Sequence, residues 1–267
     1  MALSITAIMI VLLLLGFPMM IPLIMAAFVG FLGLFGGIDR MDFMVQQILA
    51  GIRPASLIAV PMFILAADIM TRGESANRLI DMVMKFIGHI KGGLAVSTAT
   101  ACTLFGAVSG STQATVVAVG SPLRPRMLKA GYKDSFVLAL IINASDIAFL
   151  IPPSIGMIIY GVVSSTSISE LFIAGVGPGL LLLLLFSAYS MIYATVKGVP
   201  TEAKASWAER IEAVKTAIWP LGFPVIIVGG IYGGVFSPTE AAAACVLYAL
   251  ILEFLVFRSL QAPDLWK

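Results

Sequence analysis

The sequence predicts an all-α polytopic membrane protein that contains a re-entrant helical hairpin and a broken transmembrane helix. Hydrophobic residues make up 60% of the 267 residues and charged residues 11%, and the mean hydropathy is +1.06. Such a composition is typical of chains that cross a bilayer several times. In addition, a serine–glycine stretch at 108–112 and a double proline at 152–153 interrupt apolar segments where a membrane helix would be continuous.

The remaining composition excludes several other classes of protein. The net charge is only +2, and no basic patch with interleaved aromatic residues indicates nucleic-acid binding. Cys102 and Cys245 both lie in apolar segments, so a disulfide framework is not expected. The first apolar segment lacks a basic beginning and a small-residue cleavage site, and we therefore interpret it as a membrane helix and not as a removed signal peptide.

Residues 1–72 are predicted to form scaffold helices. Short apolar helices cover residues 3–16 and 18–37, a mixed interfacial segment follows, and a third crossing ends near Arg72. Asp68 lies in that crossing, where a charged side chain is costly. Because Arg72 follows one helical turn later, an interfacial cap or an ion pair is the favoured interpretation of this aspartate.

Residues 73–91 are predicted to form an amphipathic arm helix on the cytoplasmic surface. Charged residues recur there at helical spacing, at Arg78, Asp81 and Lys85, while apolar residues fill the other faces. His89, the only histidine, lies at the end of this helix without a second potential metal ligand nearby. An interfacial role is therefore favoured over a metal site.

Residues 92–122 are predicted to form the re-entrant hairpin. About 20 apolar residues span a bilayer, so these 31 residues are too many for one crossing and too few for two crossings and a turn. Two legs of about 15 residues that meet at mid-membrane fit better, with Ser109–Ser111 at the tip. Basic residues precede the first leg and fill the predicted turn at 122–133, which places both flanks in the cytoplasm.

The block 132–198 is predicted to hold the broken helix and a closing helix. Pro152 and Pro153 remove two amide donors and exclude helix from the residue before each of them. The carbonyl groups that they free need hydrogen-bond donors or a cation as partners. The sequence leaves three alternatives open: a cation, the hydroxyl group of Ser145 or Ser154, or a buried water. Irregular backbone at membrane depth is tolerated only inside protein or beside a water-filled cavity, so the tip and the break together favour an ion or substrate site.

Five motifs stand in order along the chain. They are FILAADIM at 63–70, FGAVSGS at 105–111, IPPSIGMIIYG at 151–161, LFIAGVGPG at 171–179 and SPTEAAA at 237–243. Together they resemble the large membrane (permease) subunit of tripartite ATP-independent periplasmic (TRAP) transporters of the sialic acid/C4-dicarboxylate type. The resemblance covers nearly the whole chain.

The resemblance implies an inverted-repeat secondary transporter in the bacterial inner membrane, not an enzyme. It would import an organic anion, such as a C4-dicarboxylate or a sialic acid, with Na⁺ as the coupling ion and no other cofactor. A periplasmic substrate-binding protein and a small membrane subunit are the implied partners. The implied sodium is held where Ser109–Thr112 meets Ile151–Pro152. The candidate sodium- and substrate-binding residues are Ser109, Gly110, Ser111, Thr112, Asn143, Ser145, Ile151, Pro152 and Ser154.

Residues 204–258 are predicted to form a second arm helix and two further scaffold helices. Serine and glutamate stand three apart at 167/170, 206/209 and 237/240, which is the spacing of a capping box. Counting crossings from the hairpin places the N-terminus in the periplasm. The pairs of helices at 3–37 and 218–258 then have opposite orientations, as in an inverted repeat.

Two other functions are compatible with parts of the sequence. An intramembrane enzyme with Ser109 or Ser111 as nucleophile would need a nearby base, which the sequence does not offer. A channel or a passive scaffold without coupled transport is the alternative that remains. Family members continue into a second hairpin and a second broken helix, so we expect an isolated chain that ends at Lys267 to be inactive without a further segment or partner.

Overall fold

The computed structural model describes residues 2–35 and 41–261, which form two compact units divided between Pro54 and Ala55. The first unit contains three short helices, α1 (Ala2–Leu14), α2 (Met20–Phe35) and α3 (Met41–Ile52). Helices α1 and α2 pack against each other. The first two helices agree with the predicted apolar segments, and the mixed segment that follows them is helical as well.

The second unit is built from ten helices within its described residues. They are α4 (Ala59–Arg72), α5 (Ser75–Ile87), α6 (Gly93–Ser109), α7 (Thr112–Lys129), α8 (Asp134–Ser145), α9 (Ile155–Ser164), α10 (Ile168–Lys197), α11 (Trp207–Ala217), α12 (Gly222–Tyr232) and α13 (Pro238–Val256). A 3₁₀ turn, Ala55–Ile58, precedes α4, and another, Asp146–Phe149, follows α8. The last six residues of α13 are π-helical.

Three helices of the described chain are long and apolar enough to cross a membrane. They are the helix Ala55–Arg72, which includes α4, together with α10 and α13. The bent pair α11–α12, with an angle of 49° between its parts, is a fourth candidate. Helix α6 has 17 residues, fewer than the roughly 20 that a full crossing needs. The re-entrant depth of the hairpin stays a prediction.

Helix α6 lies at the centre of the second unit. Only Thr100 and Leu104 of its residues are not fully buried, and it contacts α5, α7, α8 and α10. Its sequence is rich in glycine, alanine, serine and threonine, which allow neighbouring helices to approach closely. Thr98 and Thr103 each donate a hydrogen bond to the carbonyl group four residues earlier, so these buried hydroxyls are satisfied.

Helix α7 continues through the segment that the sequence assigned to a basic turn. The turn was predicted to begin at Pro122, but the helix extends to Lys129 with Pro122 and Pro125 inside it. Leu123 and Met127, one turn apart, are fully buried against the core. This burial offsets the backbone hydrogen bonds that the prolines remove.

The structure confirms several local predictions. Asp68 forms an ion pair with Arg72 at 2.8 Å, and both cysteines are free and buried. Complete capping boxes begin α11 at Ser206 and α13 at Ser237. At Ser167 only half of the predicted capping box forms. The Ser167 hydroxyl accepts a hydrogen bond from the amide of Glu170, but the Glu170 side chain does not accept one from the Ser167 amide.

The apolar stripe of α11 faces outward. Trp207, Ile211 and Ile218 are more than half exposed, whereas Arg210 and Ala213 are buried against the unit. An amphipathic helix on a membrane surface presents such a stripe to lipid. The position of this helix on a membrane surface stays a prediction.

Candidate functional site

Two helices of the second unit begin with the same backbone geometry. Ser111 precedes α7 with φ −130° and ψ 122°, and Ser154 precedes α9 with φ −123° and ψ 118°. Each hydroxyl accepts the amide three residues ahead, at 3.4 Å from Ala114 and 3.2 Å from Met157. Both serines are therefore N-caps, which satisfy part of the unpaired amide groups at a helix start.

The hairpin tip and the helix break are in direct contact. The amide of Ile155 donates a hydrogen bond of 3.2 Å to the carbonyl oxygen of Gly110. Gly110 has φ +60°, and a Cβ atom there would lie 2.5 Å from the carbonyl oxygen of Pro153. Glycine is thus required both for the turn and for the approach of the two backbones. We call residues 109–112 and 149–155 the tip–break junction.

Hydroxyl groups on the tip side are linked in a chain. Thr115 donates to the carbonyl oxygen of Ser111 at 2.8 Å, so Ser109 is the donor in its 3.1 Å bond to Thr115. The Ser109 oxygen also accepts the amide of Ser111 at 3.3 Å, and its side chain is fully buried. The hydroxyl oxygen of Thr112 is buried and has no hydrogen-bond partner among the described residues.

Carbonyl groups on the break side are only partly satisfied. The Ser154 hydroxyl donates to the carbonyl oxygen of Phe149 at 2.7 Å, which is the serine partner that the sequence left open. The carbonyl oxygen of Leu150 packs against Gly175 of α10, and a Cβ atom on Gly175 would lie 2.3 Å from this oxygen. No hydrogen bond within the described chain reaches the carbonyl oxygens of Ile151, Pro152 or Pro153.

Four helix ends meet at the tip–break junction. Helix α6 and the 3₁₀ turn after α8 end there, and α7 and α9 begin there. The C-terminal ends carry partial negative charge and favour a cation, while the N-terminal ends favour an anion. At the end of α6, no hydrogen bond of the described residues reaches the carbonyl oxygens of Val108 and Ser109. The junction thus combines neutral oxygen atoms with both signs of helix-end charge.

The donor set fits a hard cation held by oxygen. Open carbonyl groups, the orphan hydroxyl of Thr112 and the second lone pair of Ser109 are neutral oxygen ligands. The described residues contain no cluster of three histidine, cysteine, aspartate or glutamate side chains that would suit a transition metal. The open donors of the junction are therefore neutral oxygen atoms, the ligand type that hard cations take.

Two predicted site residues have their contacts elsewhere. Asn143 donates to the carbonyl oxygen of Ala139 at 2.7 Å and lines an open cavity of about 390 Å³ between α8 and α10. Ser145 is buried and donates to the sulfur of Cys102 at 3.5 Å. The contacts that form the tip–break junction join Gly110 to Pro153 and Ile155, and of these three only Gly110 is a predicted site residue.

Two residues that contact the junction, Thr115 and Gly175, were not among the site residues predicted from the sequence. Thr115 stands one helical turn after Ser111, so its hydroxyl reaches back to the serine carbonyl group, a common use of threonine in membrane helices. Gly175 belongs to the glycine-rich motif at 171–179, and its role appears only when α10 is placed against the break. The first could have been found from its spacing.

Comparisons with known proteins agree on one family. The family model described as "Tripartite ATP-independent periplasmic transporter, DctM component" matches residues 6–267. The ectoine/5-hydroxyectoine TRAP transporter large permease protein UehC of Ruegeria pomeroyi is 78% identical over 266 residues, which are 100% of this chain and 62% of the relative. The ectoine TRAP transporter large permease protein TeaC of Halomonas elongata is 77% identical over 97% of this chain and 61% of the relative.

A more distant relative carries a different substrate in its name. The C4-dicarboxylate TRAP transporter large permease protein DctM of Pseudomonas aeruginosa is 44% identical over 78% of this chain and 49% of the relative. The chain thus spans about three fifths of the length of the two ectoine relatives. All three relatives are permease subunits of transporters and not enzymes.

Proposed function

Because this chain belongs to the DctM component family of tripartite ATP-independent periplasmic transporters, we propose that it is part of the large permease subunit of a sodium-coupled importer in the bacterial inner membrane. Large permeases of this kind work with a substrate-binding protein and usually with a small membrane subunit. The proposed topology has the N-terminus and residues 164–169 on the periplasmic side, as the positive-inside rule predicts.

The observation that carries the proposal is the tip–break junction. Two interruptions meet through the hydrogen bond between Gly110 and Ile155, which are 45 residues apart in sequence, and the carbonyl groups beside them remain open. Broken helices of secondary transporters use such carbonyl groups for the coupling ion. We propose that Na⁺ is held there by carbonyl oxygens of the junction with the hydroxyls of Ser109 and Thr112.

For the substrate we propose ectoine or 5-hydroxyectoine. The two relatives at 77% and 78% identity are named for these solutes, whereas the C4-dicarboxylate relative is 44% identical. Ectoine carries a carboxylate, and the N-terminal ends of α7 and α9 direct unpaired amide groups toward the same junction. Ectoine also carries a protonated amidine and is therefore a zwitterion, so the proposed substrate differs from the organic anion that the sequence predicted and shares with it only the carboxylate.

Uptake in proteoliposomes tests the function. The protein is reconstituted with a small membrane subunit and an ectoine-binding protein, and labelled ectoine is followed with an inward gradient of Na⁺ or of K⁺. We expect uptake that requires both the Na⁺ gradient and the binding protein. Entry that is independent of the gradient would indicate a channel instead, and uptake of labelled succinate without uptake of labelled ectoine would move the substrate to the dicarboxylates.

A chimera tests whether residues 1–267 are sufficient for sodium-driven uptake. The 267 residues are compared with the same residues joined to the remaining sequence of the Ruegeria pomeroyi relative, which this chain covers to 62%. Uptake by the chimera alone would show that the site needs residues beyond the tip–break junction described here. Equal uptake by both proteins would contradict the expectation that the isolated chain is inactive.

A further inference from the structure

Glu253 is the one fully buried carboxylate among the described residues, and it lies in the π-helical end of α13. Its oxygen atoms accept the backbone amides of Glu74 and Ser75, both at 3.0 Å. The hydroxyl of Ser259 donates to the same carboxylate at 2.5 Å. A buried charge is costly unless hydrogen bonds compensate it, and here three donors do so.

The two amides belong to the joint between α4 and α5. Helix α4 ends at Arg72 and α5 begins at Ser75, so only Gly73 and Glu74 connect them. The residue before α5, Glu74, makes no side-chain cap. The first amides of a helix lack intrahelical partners. The cap of α5 is therefore supplied by a carboxylate 178 residues away, which also faces the positive end of the helix.

Three further contacts fix the same place. A Cβ atom on Gly73 would lie 2.1 Å from the carboxyl carbon of Glu253, so only glycine leaves room for the side chain. The guanidinium of Arg78 lies 3.9 Å from the centre of the Phe257 ring, which joins α5 to the end of α13 a second time. The carbonyl oxygen of Glu253 accepts the amide of Ser259, so the chain folds back around the glutamate.

We propose that Glu253 is a positioning residue that locks the α4–α5 joint to α13, which we call the Glu253 clasp. Because α5 packs along α6, the first leg of the hairpin, the clasp sets where the hairpin lies relative to α4 and α13. A crossing helix and a surface helix joined by two residues would otherwise be free to change their angle. The clasp concerns this conformation and is independent of which ion or solute is transported.

Hydrogen–deuterium exchange in lipid nanodiscs tests the clasp at the two amides it protects. In Glu253→Ala we expect exchange at Glu74 and Ser75 to be at least tenfold faster, with α6 and α10 unchanged. Glu253→Gln keeps the size and one oxygen acceptor, so it should expose one of the two amides more than the other. Unchanged exchange at both amides in a folded Glu253→Ala protein would overturn the proposal, and so would equal acceleration throughout the protein.

Glu240 provides a matched control on the same helix. It accepts the amide of Ser237 at 2.7 Å, but this is a local, exposed capping box. Glu240→Ala should speed exchange near residue 237 and leave residues 74 and 75 as in the wild type. Acceleration at 74 and 75 in this control would mean that any loss of a carboxylate from α13 loosens the joint, which contradicts a specific clasp.

Gly73→Ala tests the same contact without removing the charge. Its methyl group should displace the carboxylate and speed exchange at Glu74 and Ser75 to the level of Glu253→Ala. The double variant Gly73→Ala/Glu253→Ala removes the clash together with the clasp, so it should be no faster than Glu253→Ala alone. Additive acceleration in the double variant would overturn the proposal. If Glu253→Ala does not fold, Glu253→Gln replaces it in both comparisons.

Discussion

Two helix starts, α7 at the tip–break junction and α5 at the Glu253 clasp, show how differently unpaired amides can be satisfied. At the junction, Ser111 caps α7 locally and neutral oxygens nearby stay open. At the clasp, a carboxylate from α13 accepts two amides and a hydroxyl. The junction keeps free acceptors, whereas the carboxylate of the clasp is paired with three donors.

This difference is the reason that we propose the junction, and not the clasp, as the site of the coupling ion. A site for a coupling ion must bind the ion and release it again. It therefore needs neutral acceptor oxygens that do not already accept hydrogen bonds from the protein. A charged cap with all of its donors in place instead resists separation, because breaking it leaves a buried charge unpaired. Backbone irregularity alone therefore does not mark the site, whereas open acceptors beside an irregular backbone do.

The largest effect is expected from Gly110→Ala, which separates the two halves of the junction. The new methyl group would meet the Pro153 carbonyl oxygen at 2.5 Å in a left-handed backbone, and we expect loss of sodium-driven uptake. Gly131→Ala is the matched control, because Gly131 is also left-handed, at φ +93°, but has nothing within 4 Å. Equal uptake by the two variants would show that the contact between tip and break is not needed.

The contact between tip and break was predictable from sequence because both interruptions carry strong local signals. A Ser-Gly-Ser tip and a double proline each exclude regular helix wherever they occur. The clasp has no such signal. Glu253 stands alone near the end of an apolar helix, and its partners at 74 and 75 lie about 180 residues earlier, so only the packing of α4 against α13 reveals it.

The basic turn predicted at 122–133 was wrong up to Lys129 for a related reason, and only residues 130–133 form the turn. Two prolines and four basic residues favour a turn locally, but the burial of Leu123 and Met127 against α6 decides the conformation. Arg124 of the continued helix then forms a two-bond ion pair with Asp134, at 3.0 and 3.1 Å. Tertiary packing is invisible to a local reading of turn residues, and here it overrides them.

A smaller effect, confined to the ion, is expected from Ser109→Ala. The Ser109 hydroxyl lies in the chain of hydrogen bonds at the tip, and we propose it as a sodium ligand. Its loss should raise the half-saturating sodium concentration about tenfold, which equals about 1.4 kcal/mol, while the ectoine dependence changes less. Sodium titration of uptake measures both values.

Ser97→Ala is the control for that substitution. Ser97 lies on the same helix, is fully buried, and has a hydroxyl without a hydrogen-bond partner among the described residues. Its removal should leave the sodium dependence unchanged. An equal shift in both variants would mean that the loss of any hydroxyl from α6 weakens sodium binding, which would contradict the proposed role of Ser109 as a sodium ligand.

The last comparison is between one serine from each region, by its contribution to the free energy of unfolding. Ser154→Ala leaves the Phe149 carbonyl group and the Met157 amide without their partner, and we expect a loss of about 1–3 kcal/mol. Ser259→Ala removes only one of the three donors to Glu253, and the carboxylate keeps both amides. We expect a loss of about 1 kcal/mol there, since a charged acceptor with two strong donors remains. Unfolding of the purified variants in mixed micelles measures both losses. A larger loss from Ser259→Ala would reverse the comparison, because the clasp would then depend on its hydroxyl more than on the amides of α5.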